Sequence, residues 1–136
     1  MRFQFRLMRF SLTLMVSLNM DGVIMITKLR LMLDYHCYPV WLYDENGDIV
    51  DTLLPDELRT DTALDAKFDD LQERFDALYI DNEHEFSFRG FQTKEEKERF
   101  LSDWQSAILE LKEKTNGKYE IVDDIDVGFA DNFWSI

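Results

Sequence analysis

Two stretches of the chain repeat apolar residues at helical spacing, and several shorter ones alternate. In Asp61–Ile80 the residues Leu64, Phe68, Leu71, Phe75 and Leu78 recur at intervals of 4, 3, 4 and 3. Those intervals lay one apolar stripe along an α-helix. Asp61 or Thr62 is placed to cap it by accepting from a free backbone N–H, and the helix is expected to end near Ile80. Thr93–Thr115 is a second helix: Leu101, Trp104, Ile108 and Leu111 keep intervals of 3, 4 and 3, and Phe100 widens the stripe. Thr93 and Glu96 have the spacing of a capping box. Lys112 and Lys114 suit the negative end of the helix dipole, and Asn116-Gly117 supplies a left-handed stop.

The alternating stretches are strands. Tyr38–Leu54 reads as a β-hairpin, with Val40 and Leu42 alternating against Trp41 and Tyr43 and with Asn46-Gly47 as a tight turn of positive φ. Pro55 closes the returning strand. In Glu85–Phe91, Phe86 and Phe88 alternate with polar neighbours, which predicts a strand with those two rings on a buried face. Lys118–Val127 is the last strand. The order β-β-α-β-α-β predicts an α+β fold: a mostly antiparallel sheet of about four strands with two long helices on one face. The working domain is expected over residues 32–127, followed by an aromatic, acidic tail, 128–136.

Residues 1–31 differ in kind, being basic, Met-rich and apolar. Arg2, Arg6 and Arg9 precede an apolar run, but Asn19-Met20-Asp21 stands where a signal peptide needs small residues. The run is too short and interrupted for a transmembrane helix. Met20, Met25 and Met32 are internal start candidates, and Met32 lies where composition changes, so residues 1–31 are expected to be a leader outside the working fold.

Charge follows the same division. The 136-residue chain carries −13. Residues 1–32 hold five Lys/Arg against one acid, a net of +4; residues 33–136 hold ten against 27, a net of −17. Such a domain repels nucleic acid and anionic membrane and draws basic protein surfaces. A single cysteine, Cys37, rules out an internal disulfide and fits a reducing compartment. With 46% hydrophobic residues the chain has ample material for a core.

Candidate chemistry is sparse. One cysteine and two histidines (His36, Cys37, His84) fall short of a zinc set. Asp44–Asp48 has the acids of a calcium loop without its length or closing glutamate, and a hairpin turn accounts for it. A small hydrolase built on carboxylates and His84 requires desolvated acids beside that histidine. No cofactor is expected. What stands out is a row of carboxylates beside the apolar stripe of the first helix: Asp61, Asp65, Asp69, Glu73 and Asp76. Like charges four apart oppose the helix by a few tenths of a kcal/mol per pair, so helix stability does not ask for them; either solubility or a basic partner does. Trp41, Tyr43, Tyr79, Phe129, Phe133 and Trp134 cannot all point inward; core packing claims some of them, and Trp41, Tyr43 and Tyr79 are expected as aromatic anchors of a binding face, because Trp and Tyr ringed by polar groups dominate interfaces. The expected partner is a basic protein, a toxin or nuclease, with no direct nucleic acid and no membrane. Reversing Asp65, Asp69 and Glu73 to lysine is expected to leave the fold intact and to weaken that binding.

The runs YPVWLYDENGDIVDTLLPDELR, LDAKFDDLQERFDALYI and GFQTKEEKERFLSDWQ together resemble the small acidic immunity proteins of bacterial polymorphic-toxin systems, over residues 32–127. The resemblance implies an α+β, non-catalytic, cytoplasmic protein that blocks a cognate toxin by occluding its active site. It carries over no individual functional residue, because these proteins share no invariant site. A phage-type nucleic-acid mimic that inhibits a DNA-binding defence enzyme would carry similar charge, and the neighbouring genes distinguish the two.

Overall fold

The computed structural model describes residues 24–125. Four strands form a mixed sheet in the order β3-β2-β1-β6: β1 Ile26–Leu31, β2 Val40–Asp44, β3 Ile49–Thr52 and β6 Glu120–Asp123. β1 pairs antiparallel with β2, β2 antiparallel with β3, and β1 parallel with β6, so the four-stranded sheet is mostly antiparallel, as expected, with one parallel pair at its edge. Helices α1 (Thr62–Asp76) and α2 (Lys94–Thr115) lie in the chain between β3 and β6, and a separate hairpin of β4 (Tyr79–Asp81) and β5 (Phe86–Phe88) joins them. The α+β class with two long helices stands.

The core lies between the helices and one face of the sheet. Leu29, Leu31, Val40 and Leu42 meet Leu64, Phe68, Leu71 and Phe75 of α1 and Phe100, Trp104, Ile108 and Leu111 of α2. Within α1 the marked positions Leu64, Phe68, Leu71 and Phe75 are buried, and in α2 Phe100, Trp104, Ile108 and Leu111 are buried with Leu101 partly so. Asp61 caps α1 by accepting from the Leu64 N–H. Thr93 caps α2 by accepting from the Glu96 N–H. Asn116, at φ 49°, and Gly117, at φ 78°, end α2 in the left-handed region. Trp104, fully buried, donates its indole N–H to Asp123, fastening α2 to the end of β6.

Four local expectations change. First, β1 comes from the segment set apart as a leader. In ITKLRL the leucines point inward and Lys28 and Arg30 outward, and the strand lies between β2 and β6. The compositional break at residue 32 therefore does not coincide with the edge of the sheet. Second, α1 stops at Asp76 rather than near Ile80, because the Leu78 carbonyl accepts from the N–H groups of Arg89 and Gly90 and Tyr79–Asp81 pairs with β5. Third, the β2–β3 turn holds three residues, closed by the Asp44 N–H donating to Asp48, and only Gly47 takes positive φ, 84°. Fourth, Phe86 and Phe88 face solvent, at 58% and 36% exposure. The outer part of the leader and the tail, with Phe129, Phe133 and Trp134, lie outside the described residues.

Candidate protein-binding face

The carboxylates of α1 do not form one uniform field. Asp61 is the cap and also pairs with Lys114 of α2. That ammonium, with the Leu64 N–H, holds the Asp61 carboxyl below its ordinary range. Asp65 accepts a 2.8 Å bond from the Tyr38 hydroxyl. Asp76 accepts from the His36 N–H at 2.9 Å and from the Gln72 amide at 2.7 Å. Asp69 is half-buried and Glu73 is exposed. Along the α1–α2 seam, Lys67 meets Glu110 and Arg74 meets Asp103. The tertiary structure thus answers much of the row from within. Asp65→Lys would remove the acceptor of the Tyr38 hydroxyl.

The aromatic anchors separate. Trp41 and Tyr43 lie on β2 beside Arg30 and Lys28 of β1. Tyr43 is buried, accepts from the Arg30 guanidinium at 2.9 Å, and lies 4.6 Å under the Lys28 ammonium. Alternation turns Lys28, Arg30 and Trp41 away from the helices. On that face Glu120 stands opposite Lys28 and Arg30 pairs with Asp124, so its charges are mixed, and it lies apart from the acids of α1.

Tyr79 belongs to a different group, which sequence reasoning missed. At the C-terminal end of α1 it stacks on Phe86, with ring centroids 5.4 Å apart and an angle of 12°. Phe88 meets Tyr79 edge-on at 5.1 Å. Tyr35 meets Tyr79 at 4.8 Å and Phe86 at 5.0 Å, and His36 stacks on Tyr35 at 4.0 Å. Phe75, buried in the core, anchors the group through Tyr79 at 5.5 Å. The hairpin register places Tyr79 opposite Phe88 and Asp81 opposite Phe86, so all four side chains share one face.

The support beneath this platform is polar and specific. Tyr35 donates to the Asp81 carboxylate at 2.8 Å, which pushes the phenol up to about 12 and keeps it a donor. Burial, with Asp34 and Asp76 behind it, raises Tyr79 as well. The loop before Pro39 is fastened to α1 by Gln72, which donates to the Asp34 carbonyl, and by Asp76. This holds His36 in the left-handed region, at φ 58°. At the hairpin tip the Asn82 side chain accepts from the N–H groups of His84 and Glu85. The sequence signal was there, in Phe86 and Phe88 two apart after an acidic turn, but alternation alone does not say which face meets the core.

Catalytic arrangements find little footing. His84 and Glu83 stand 3.7 Å apart with both side chains 86% exposed, without the desolvation a hydrolase reading requires. His36 and Cys37 lie in a turn, not on a strand. The Asp44 carboxylate accepts from the N–H groups of Asn46 and Asp48, which is the work of a turn. Among the described residues no three His, Cys, Asp or Glu gather as a metal set, and no helix is long and apolar enough to cross a membrane.

No curated protein matches the chain. A family model does: the one for Serratia CdiI immunity protein-like proteins matches residues 27–123, from the second residue of β1 to the last of β6. With well over half its length matched, and with every strand and both helices within or touching that span, this chain belongs to the Serratia CdiI immunity protein-like family.

Proposed function

We propose that this protein is a stoichiometric immunity inhibitor. It binds a cognate toxin in the cytoplasm and lies across that toxin's basic active site, a nuclease groove being the natural target. It performs no chemistry of its own. Family membership is the observation that carries this reading. The net charge of −13 supports it, because a groove built for a polyanion is cationic and an acidic protein is steered to it. The solvated setting of His84 and Glu83 supports the absence of catalysis.

The test is co-expression with the toxin domain encoded by the neighbouring gene. Growth should be restored only when both proteins are made, and titration calorimetry should give one copy of this chain per toxin domain. Affinity should fall as salt rises, since steering between opposite charges is screened within about 8 Å at physiological ionic strength. Rescue without physical association would refute inhibition by occlusion.

A further inference from the structure

We propose that the hairpin platform of Tyr35, Tyr79, Phe86 and Phe88 is the surface that docks a basic patch of the toxin, with guanidinium groups seated on its rings and paired with its acidic rim. This rests on the immunity reading above and goes beyond it by naming the face. Among the described residues Phe86 and Phe88 are the exposed large aromatics. They stand two apart on β5 and project with Tyr79 from one side of the hairpin. Exposed apolar area of this kind is costly in water and marks contact surfaces. The platform is pre-organised: Phe75 anchors it from below, Tyr35 is held by Asp81, and the adjoining loop is held by Asp76. Little conformational freedom remains to be lost on binding.

Charge selects the occupant. Asp81 lies on the same face as the rings, where it accepts from Tyr35, and the exposed Glu83 and Glu85, in the turn between the two strands, form the acidic rim. Arg89 is the nearby arginine, and its guanidinium donates to the Ala77 carbonyl. A second copy of this chain would bring two acidic rims together. A nucleic acid would bring phosphates against carboxylates. A basic protein surface satisfies both parts, because arginine stacks on aromatic faces and forks onto carboxylates.

The experiment measures binding of the full chain to the purified toxin domain encoded by the neighbouring gene. It compares wild type with Phe86→Ala/Phe88→Ala, with Glu83→Lys, and with Leu109→Ala, an exposed position on α2. The double alanine should weaken Kd by about 30-fold or more, equivalent to about 2 kcal/mol. Glu83→Lys alters no packed side chain; it should weaken binding about tenfold at low salt and flatten the salt dependence. Leu109→Ala should bind as wild type. Circular dichroism melts, unchanged in Glu83→Lys, separate lost docking from lost folding. If wild type binds and both platform variants bind equally well, the platform is not the docking face, while the immunity reading stands. If wild type does not bind at all, the immunity reading fails and this proposal with it. If wild type self-associates through Phe86 and Phe88, the occupant is a second copy and the proposal is overturned.

Discussion

Leu29 offers the sharpest test of how this domain is assembled. It is fully buried at the centre of the sheet, opposite Leu42 of β2 and Ile121 of β6. Leu29→Ala removes a packed isobutyl group from a site framed by strands on both sides, where collapse is restricted. The expected cost is about 2–5 kcal/mol, against a total stability on the order of 5–15 kcal/mol. In a domain of this size each kcal/mol lowers Tm by about 4–8 °C, so a loss near the middle of the range moves the melt by roughly 14–28 °C. A chain starting at Met32 carries the argument to its limit. It loses β1 entirely, and with it two buried leucines at about 1.5–3 kcal/mol each and a set of ladder bonds at about 1 kcal/mol apiece. β2 and β6 are left without the strand that joins them. The total is on the order of the whole stability, so that chain should not fold, while one starting at Met25 retains the strand. Urea unfolding followed by circular dichroism, with protease resistance as a second readout, decides it. A Met32 chain that unfolded cooperatively at the midpoint of the Met25 chain would refute the placement of β1 within the working fold.

Two further predictions concern particular residues. Lys114 holds the Asp61 carboxyl below its ordinary value, and Lys114 with Lys67 does the same for Glu110. A carboxyl depressed in the folded state contributes stability above its unfolded pKa of about 4 and loses it as pH falls through the folded value. Asp61→Asn, which keeps a capping oxygen, should therefore flatten the acid limb of the stability curve; because Asp61 also raises the Lys114 ammonium, it should flatten the alkaline limb as well and leave the shape between the two limbs unchanged. An acid limb as steep as in wild type would contradict the ion pair. His36 is held at φ 58°, a region that costs an L-residue about 1–2 kcal/mol and glycine almost nothing. His36→Gly should be neutral or stabilising by up to about 1 kcal/mol, while His36→Val should destabilise by about 1–2 kcal/mol; equal melts for the two would show that the backbone is not strained there.

Periodicity and capping chemistry were enough to place both helices, because an apolar stripe and a free N–H next to Asp61 or Thr93 act within a few residues of the chain. The Asn116-Gly117 stop and the hairpin around Gly47 are equally local. β1 was hidden because its alternating leucines sit at the end of a Met-rich run whose composition differs from the rest, and only the partners on either side make it a central strand. The end of α1 was decided by Arg89 and Gly90, far along the chain, which take the carbonyl of Leu78. Spacing put Phe86 and Phe88 on one face, but which face meets the core depends on how the hairpin sits against α1. The acidic row was plain in the sequence. Which of its members are answered from within depended on Tyr38, Gln72 and Lys114, brought to α1 by the fold, since a charge declares itself locally while its partner is chosen across space.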